Sequence, residues 1–138
     1  MRLPHNFFAL FFCLAISILI LMESAQANIL DQYQWEKRLL IVHSPNVSNL
    51  AYKIQLDDYR THENGVLDRD IKLISLISAE PLDDYEQWAS AFHLGENDFN
   101  IILVGKDGTE KKRWDQPVPM IEIFKIIDAM PMRQNEAR

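Results

Sequence analysis

The chain has 138 residues, a single cysteine, four glycines and a formal net charge of −6 at pH 7. The acidic excess argues against nucleic acid and anionic membrane surfaces as partners. The length suits one domain, and so few glycines argue against a backbone-lined nucleotide site.

Residues 1–27 carry the three parts of a secretory signal. Arg2 begins it, Phe7 to Met22 is an uncharged apolar run, and Ala25-Gln26-Ala27 predicts cleavage after Ala27. The alternative is an uncleaved N-terminal membrane anchor, although the run is slightly short of the ~20 residues that span a bilayer. Cys13 lies inside this segment, so residues 28–138 contain no cysteine. The expectation is a signal peptide at 1–27 and one periplasmic or secreted domain at 28–138, without stable membrane anchoring once cleaved. Lacking disulfides, that domain must rest on its core, with Trp35, Trp88, Phe92, Phe99, Trp114 and Phe124 as its large candidates.

Arg38 to His43 (RLLIVH) is a short, nearly continuous apolar run, as in a strand buried on both faces. Ser44-Pro45-Asn46 stops it, and Asn46 or Ser48 suits the cap of a helix from Val47 to His62, closed by Asn64-Gly65. Ile71 to Ile77 is a second strand. Pro81 to Leu94 reads as a helix with Tyr85, Trp88, Ala89 and Phe92 on one face, ended by Gly95. Phe99 to Val104 is a third buried strand. Lys106-Asp107-Gly108-Thr109 is a tight hairpin signal, followed by a polar edge strand, Glu110 to Trp114, in which Lys111, Lys112 and Arg113 discourage edge pairing. A last helix spans Met120 to Met130, with Ile121, Phe124, Ile127 and Ala129 or Met130 toward the core.

The order β-α-β-α-β-β-α gives an α/β, thioredoxin-like fold: a mixed four-stranded sheet whose first two strands are parallel and last two antiparallel. Arg38-Leu-Leu-Ile-Val, Asp68-Arg69-Asp70-Ile71, Leu103-Val104-Gly105-Lys106-Asp107-Gly108 and Ile127-Asp128-Ala129-Met130-Pro131-Met132-Arg133 together resemble the domain of unknown function 4174. The resemblance covers about Asp31 to Arg133. It implies a thioredoxin- or peroxiredoxin-like fold in exported proteins, with related domains in coiled-coil domain-containing protein 80 and in sushi-repeat extracellular proteins. No reaction is established for the family.

Thioredoxins hold their paired thiols between the first strand and the next helix. Here that junction reads His43-Ser44-Pro45-Asn46-Val47-Ser48, and a serine hydroxyl has no disulfide chemistry. Redox catalysis is therefore not expected, nor is a catalytic residue, cofactor or metal site: His43, His62 and His93 lack metal-ligand spacing. The candidate binding residues are His43, Ser44, Asn46 and Ser48 at the junction, with Arg69 and Arg133 elsewhere. The expected role is a non-redox binding module for a protein or cell-envelope component. The alternative is a non-thiol enzyme or small-anion binder using His43 to Ser48, with His43 as base.

Overall fold

The computed structural model of the protein describes residues 28–136; the expected signal segment, its cleavage point and Cys13 lie outside the described residues. Strands β1 (Arg38–Ser44), β2 (Ile71–Ile77), β3 (Asn100–Val104) and β4 (Glu110–Trp114) form one sheet in the order β2-β1-β3-β4. β1 is parallel to β2 and antiparallel to β3, and β3 is antiparallel to β4. β1 and β3 occupy the middle because they are apolar on both faces. Alternation along them feeds two cores. Leu40, Val42, Ile101 and Leu103 pack with α1 (Leu50–Thr61), α2 (Glu63–Asp68) and α4 (Met120–Asp128). Leu39, Ile41, Ile102 and Val104 pack with α3 (Tyr85–Phe92) and with Ile29, Leu30 and Tyr33 of the preceding turns. A short α5 (Pro131–Glu136) follows α4 and buries none of its residues.

Several boundaries differ from the sequence reading, each for a local reason. α1 starts at Leu50 because Asn49, rather than Asn46 or Ser48, is its cap: the Asn49 side-chain Oδ1 accepts the Tyr52 amide at 3.2 Å. Gly65 does not end that helix. It lies inside α2, where a β-carbon would stand 2.5 Å from Phe124 Cε2, so the close approach of α4 requires glycine. α3 spans Tyr85–Phe92, and His93 takes the left-handed cap (φ 52°) expected of Gly95. β3 begins at Asn100 rather than Phe99. The last predicted helix stops at Asp128, because the residue before Pro131 is disfavoured in helical geometry and the chain restarts as α5. Two expected core residues are exposed. Trp35 is 63% exposed at φ 69°, and Ile121 yields its core position to Ile123 and Met120.

The hairpin lies where the Asp-Gly pair places it. The Gly108 amide donates to the Gly105 carbonyl at 3.0 Å and the Gly105 amide to the Thr109 carbonyl at 2.9 Å. Gly108 follows in the left-handed region at φ 78°. A β-carbon there would meet only Gln34, at 3.6 Å or more, so the space is open and the constraint is purely dihedral. Gly108→Val should therefore cost about 1–2 kcal/mol, a fall of roughly 4–15 °C in Tm. Gly108→Asn, which tolerates this region, should cost less. Equal melting curves for wild type and Gly108→Val would contradict the dihedral reading.

Candidate functional site

At the C-terminal end of β1 the chain turns toward α1, and the candidate residues divide by exposure. His43 and Ser44 are fully buried, whereas Asn46 and Ser48 face solvent. Continuation of the strand causes this: β1 is buried along its whole length, so its last two side chains are enclosed with it. His43 Nε2 lies 3.1 Å from the Tyr85 hydroxyl, and Nδ1 has no hydrogen-bond partner. The Ser44 hydroxyl donates to the Asn46 carbonyl at 2.9 Å, and the Asn46 side-chain oxygen accepts the Ser48 amide at 3.0 Å. Ser44 and Asn46 thus bond to the turn itself. An imidazole at zero exposure is poorly placed to exchange protons with a bound substrate.

Burial is the main cause holding the His43 pKa below its ordinary 6.5, and the backbone and charge of Asp98 oppose it only in part. The fold therefore favours the neutral ring. The unfolded chain takes the proton more readily, so the contribution of His43 is complete above about pH 6.5 and is lost as pH falls toward the lowered value. The stability gap between wild type and His43→Gln should be wider at about pH 7.5 than at about pH 5.5. A gap independent of pH, in urea titrations at both values, would contradict a buried neutral imidazole.

Beside the exposed Asn46 and Ser48, the junction and the start of α1 present apolar side chains to solvent. Val47, Leu50 and Ile54 are 44%, 71% and 49% exposed, and Leu50 and Ile54 share one face of α1 at i,i+4. Ile54 leads into a groove of about 290 Å³ whose other wall is Pro117, Val118 and Pro119. Its polar floor is committed to structure. Gln55 accepts the Val118 amide at 2.9 Å, and Asp58 Oδ2 accepts the Met120 amide at 2.6 Å, capping α4. The spacing of these apolar residues reveals the helix but not its orientation, since the buried residues of α1 are Gln55 and Leu56.

Arg69 and Arg133 belong elsewhere. They lie by the opposite end of β1, about 20 Å along the strand from Ser44, and the structure brings the two together through shared carboxylates. Arg69 Nη2 pairs with Asp128 at 2.8 Å, and Arg133 pairs with both Asp68 and Asp128. Arg69 also lies 4.4 Å over the Phe124 ring. The Asp128 carboxyl is held below its ordinary 3.8 by its hydrogen bond to Arg69, against partial burial, with Arg133 adding to the effect. The junction residues and the two arginines therefore form two separate groups.

Beside this pair is a feature that the sequence reading missed. Arg38, 1% exposed, and Lys106, 9% exposed, both bond Glu136 of α5. Lys106 also bonds Asp70, which sits at φ 51° and accepts Lys37 as well. The available signal was a lone arginine and lysine flanking apolar strands. Among the described residues no three His, Cys, Asp or Glu side chains cluster as a metal site would require. No helix among them is long and apolar enough to cross a membrane.

The sheet order, the parallel β1–β2 pair and the closing hairpin and helix define a thioredoxin-like fold. Solved structures agree on the fold. Plasmodium yoelii thioredoxin peroxidase I is similar at a TM-score of 0.60 and 12% identity, covering 79% of this chain and 81% of the other. Mycobacterium tuberculosis AhpC matches at 0.56 and 13%, covering 78% and 75%. The chain belongs to the family described as Domain of unknown function (DUF4174), whose model matches residues 29–136. Among curated relatives, human Sushi repeat-containing protein SRPX2 is 32% identical over 128 residues, 84% of this chain and 27% of its own length. Human Sushi repeat-containing protein SRPX is 28% identical over 136 residues, 90% of this chain and 29% of its own. The chain thus spans less than a third of these relatives.

Proposed function

We propose that this protein is an exported, non-redox binding module of thioredoxin-like fold that holds a protein partner, or a cell-envelope component, on the face beside the first strand–helix junction. One observation carries the reading. Where a thioredoxin-like fold keeps its thiols, this chain has no cysteine and instead exposes Val47, Leu50 and Ile54, continuous with the Pro117–Pro119 groove. Exposed apolar side chains at one place on a small acidic domain are what a protein interface uses. The signal-like residues 1–27 support export, and a domain spanning only part of its relatives is consistent with a recognition unit. A non-thiol enzyme at the junction is the weaker reading, because His43 is enclosed and bonded to Tyr85.

Without a thiolate the protein should reduce no insulin disulfide and no peroxide. Turnover above a protein-free control would overturn the non-redox part. For the binding face, Leu50→Asp and Ile54→Asp should change stability by no more than about 0.5 kcal/mol, as exposed positions do. Both should abolish capture of whatever partner the wild type retains from envelope or secreted extract. Retained capture by both variants, or no specific partner for the wild type, would sink this assignment.

A further inference from the structure

α5 is held by charge rather than by burial. None of its residues is buried, yet its Glu136 carboxylate reaches two enclosed cations of the sheet. Glu136 Oε2 accepts Arg38 Nη1 at 3.2 Å and Nη2 at 3.1 Å, and Oε1 faces Lys106 Nζ at 2.7 Å. Both oxygens of one carboxylate are thereby satisfied by groups fixed on β1 and in the β3–β4 turn. The receptor has its own framework without the ligand. Arg38 Nη1 donates to the Arg69 carbonyl at 2.9 Å, and Lys106 Nζ to Asp70 at 2.9 Å. Remove Glu136, and the guanidinium keeps only that carbonyl, its Nε already lacking a partner. Of the two cations, both nine-tenths buried, Lys106 then keeps the Asp70 carboxylate, which Lys37 shares, and Arg38 keeps none. Such a pocket is short of one anion.

We propose that Arg38 and Lys106 form a carboxylate-binding site that Glu136 fills in cis, and that displacement of α5 opens it to an acidic side chain of a bound peptide. Fork-shaped Arg38 donors and the Lys106 ammonium select a planar carboxylate over a neutral amide. Opening exposes no core, because α5 buries none of its residues, and what it must break is polar: the Glu136 pairs and the bonds of Arg133 to Asp68 and Asp128. The site does not rest on the junction face, which is at the other end of β1.

Glu136→Ala in the full chain empties the site and should lower Tm by on the order of 10–20 °C while leaving the far-ultraviolet dichroism below the transition unchanged. Sodium acetate should restore at least half of that fall, and sodium chloride at equal ionic strength should not. In Glu136→Ala/Lys106→Met acetate should do no better than chloride. A synthetic peptide of the α5 sequence, Pro131 to Arg138, should bind Glu136→Ala about tenfold or more tighter than the same peptide with glutamine for its glutamate. Equal effects of acetate and chloride, or equal binding of the two peptides, would overturn the carboxylate site. In the unaltered protein the Met132–Glu136 amides should exchange with deuterium well before those of β1. Equal protection of the two segments would overturn the displacement.

Discussion

Trp88→Ala should destabilise the domain by about 3–5 kcal/mol, a large part of the ~5–15 kcal/mol that holds a typical domain together. The ring is 1% exposed and fills the core on the α3 side of the sheet against Leu39, Ile41, Ile102 and Val104. It stacks on Phe92 at 6.1 Å between centroids and tilts against Tyr33 at 6.3 Å. Its indole N–H donates to Asp84 Oδ2 at 3.1 Å, so truncation also strips that carboxylate of a partner. No disulfide within residues 28–138 can compensate, because the segment has no cysteine. In urea the midpoint should fall while the slope stays constant, the mark of lost stability rather than altered compactness. Trp88→Phe, which keeps most of the ring volume, should lose less. A loss below about 1 kcal/mol for Trp88→Ala would mean that the pocket collapses around the missing ring, which packing this dense resists.

The parts of the fold that were legible in the sequence are those where one chemical feature decides structure locally. Leu39–Val42 and Ile101–Val104 are apolar runs too short for helices and bounded by breakers, so they read as central strands, and they are. Asp107-Gly108 read as a turn because only glycine sits easily at φ 78°. Features decided by distant partners were not legible. Gln55 is a polar residue in a helix until the Val118 amide, 63 positions away, bonds it and turns that face inward. Leu50 and Ile54 are consequently left outside, against the usual reading of apolar periodicity. α5 is six residues of largely polar sequence with no core face of its own. Its contacts, Arg133 to Asp68 and Glu136 to Arg38, span 65 and 98 positions.

The candidate residues follow the same division. Ser44, Asn46 and Ser48 were legible as turn formers, and they bond within the turn. His43 closes the run that read as a strand buried on both faces, and it is enclosed there; its partner, Tyr85 of α3, lies 42 positions away and was not legible. Arg69 and Arg133 were legible as charged residues of unusual placement, whereas their common partner Asp128 was visible only as part of the closing motif. That motif, Asp128 to Arg133, now has a physical reading: Asp128 joins the two arginines, Pro131 restarts the chain as a helix, and Arg133 pins that helix to the Asp68 carbonyl at 2.8 Å.

Arg38→Ala should cost about 3 kcal/mol, the low end of what breaking a buried ion pair costs, and lower Tm by on the order of 10–20 °C. The low end applies because Glu136 retains Lys106 and is itself 26% exposed, so the carboxylate left behind is not stranded. The remaining loss is the packing of the guanidinium stem and the Arg69 carbonyl left without its donor. Arg38→Met keeps the stem and should cost distinctly less, which separates packing from charge. The charge part depends on pH with a definite sign. Burial works against the Glu136 carboxylate, but Lys106 and Arg38 outweigh it and hold its pKa below the ordinary 4.5, and Lys106 holds Asp70 below 3.8. These groups stabilise the fold above their unfolded values and lose that contribution as pH falls through the lowered ones. The gap between wild type and Arg38→Ala, measured in urea, should thus be flat at neutral pH and shrink below about pH 4. A gap unchanged into that range would assign Arg38 a packing role alone, and α5 would then be held chiefly by Arg133.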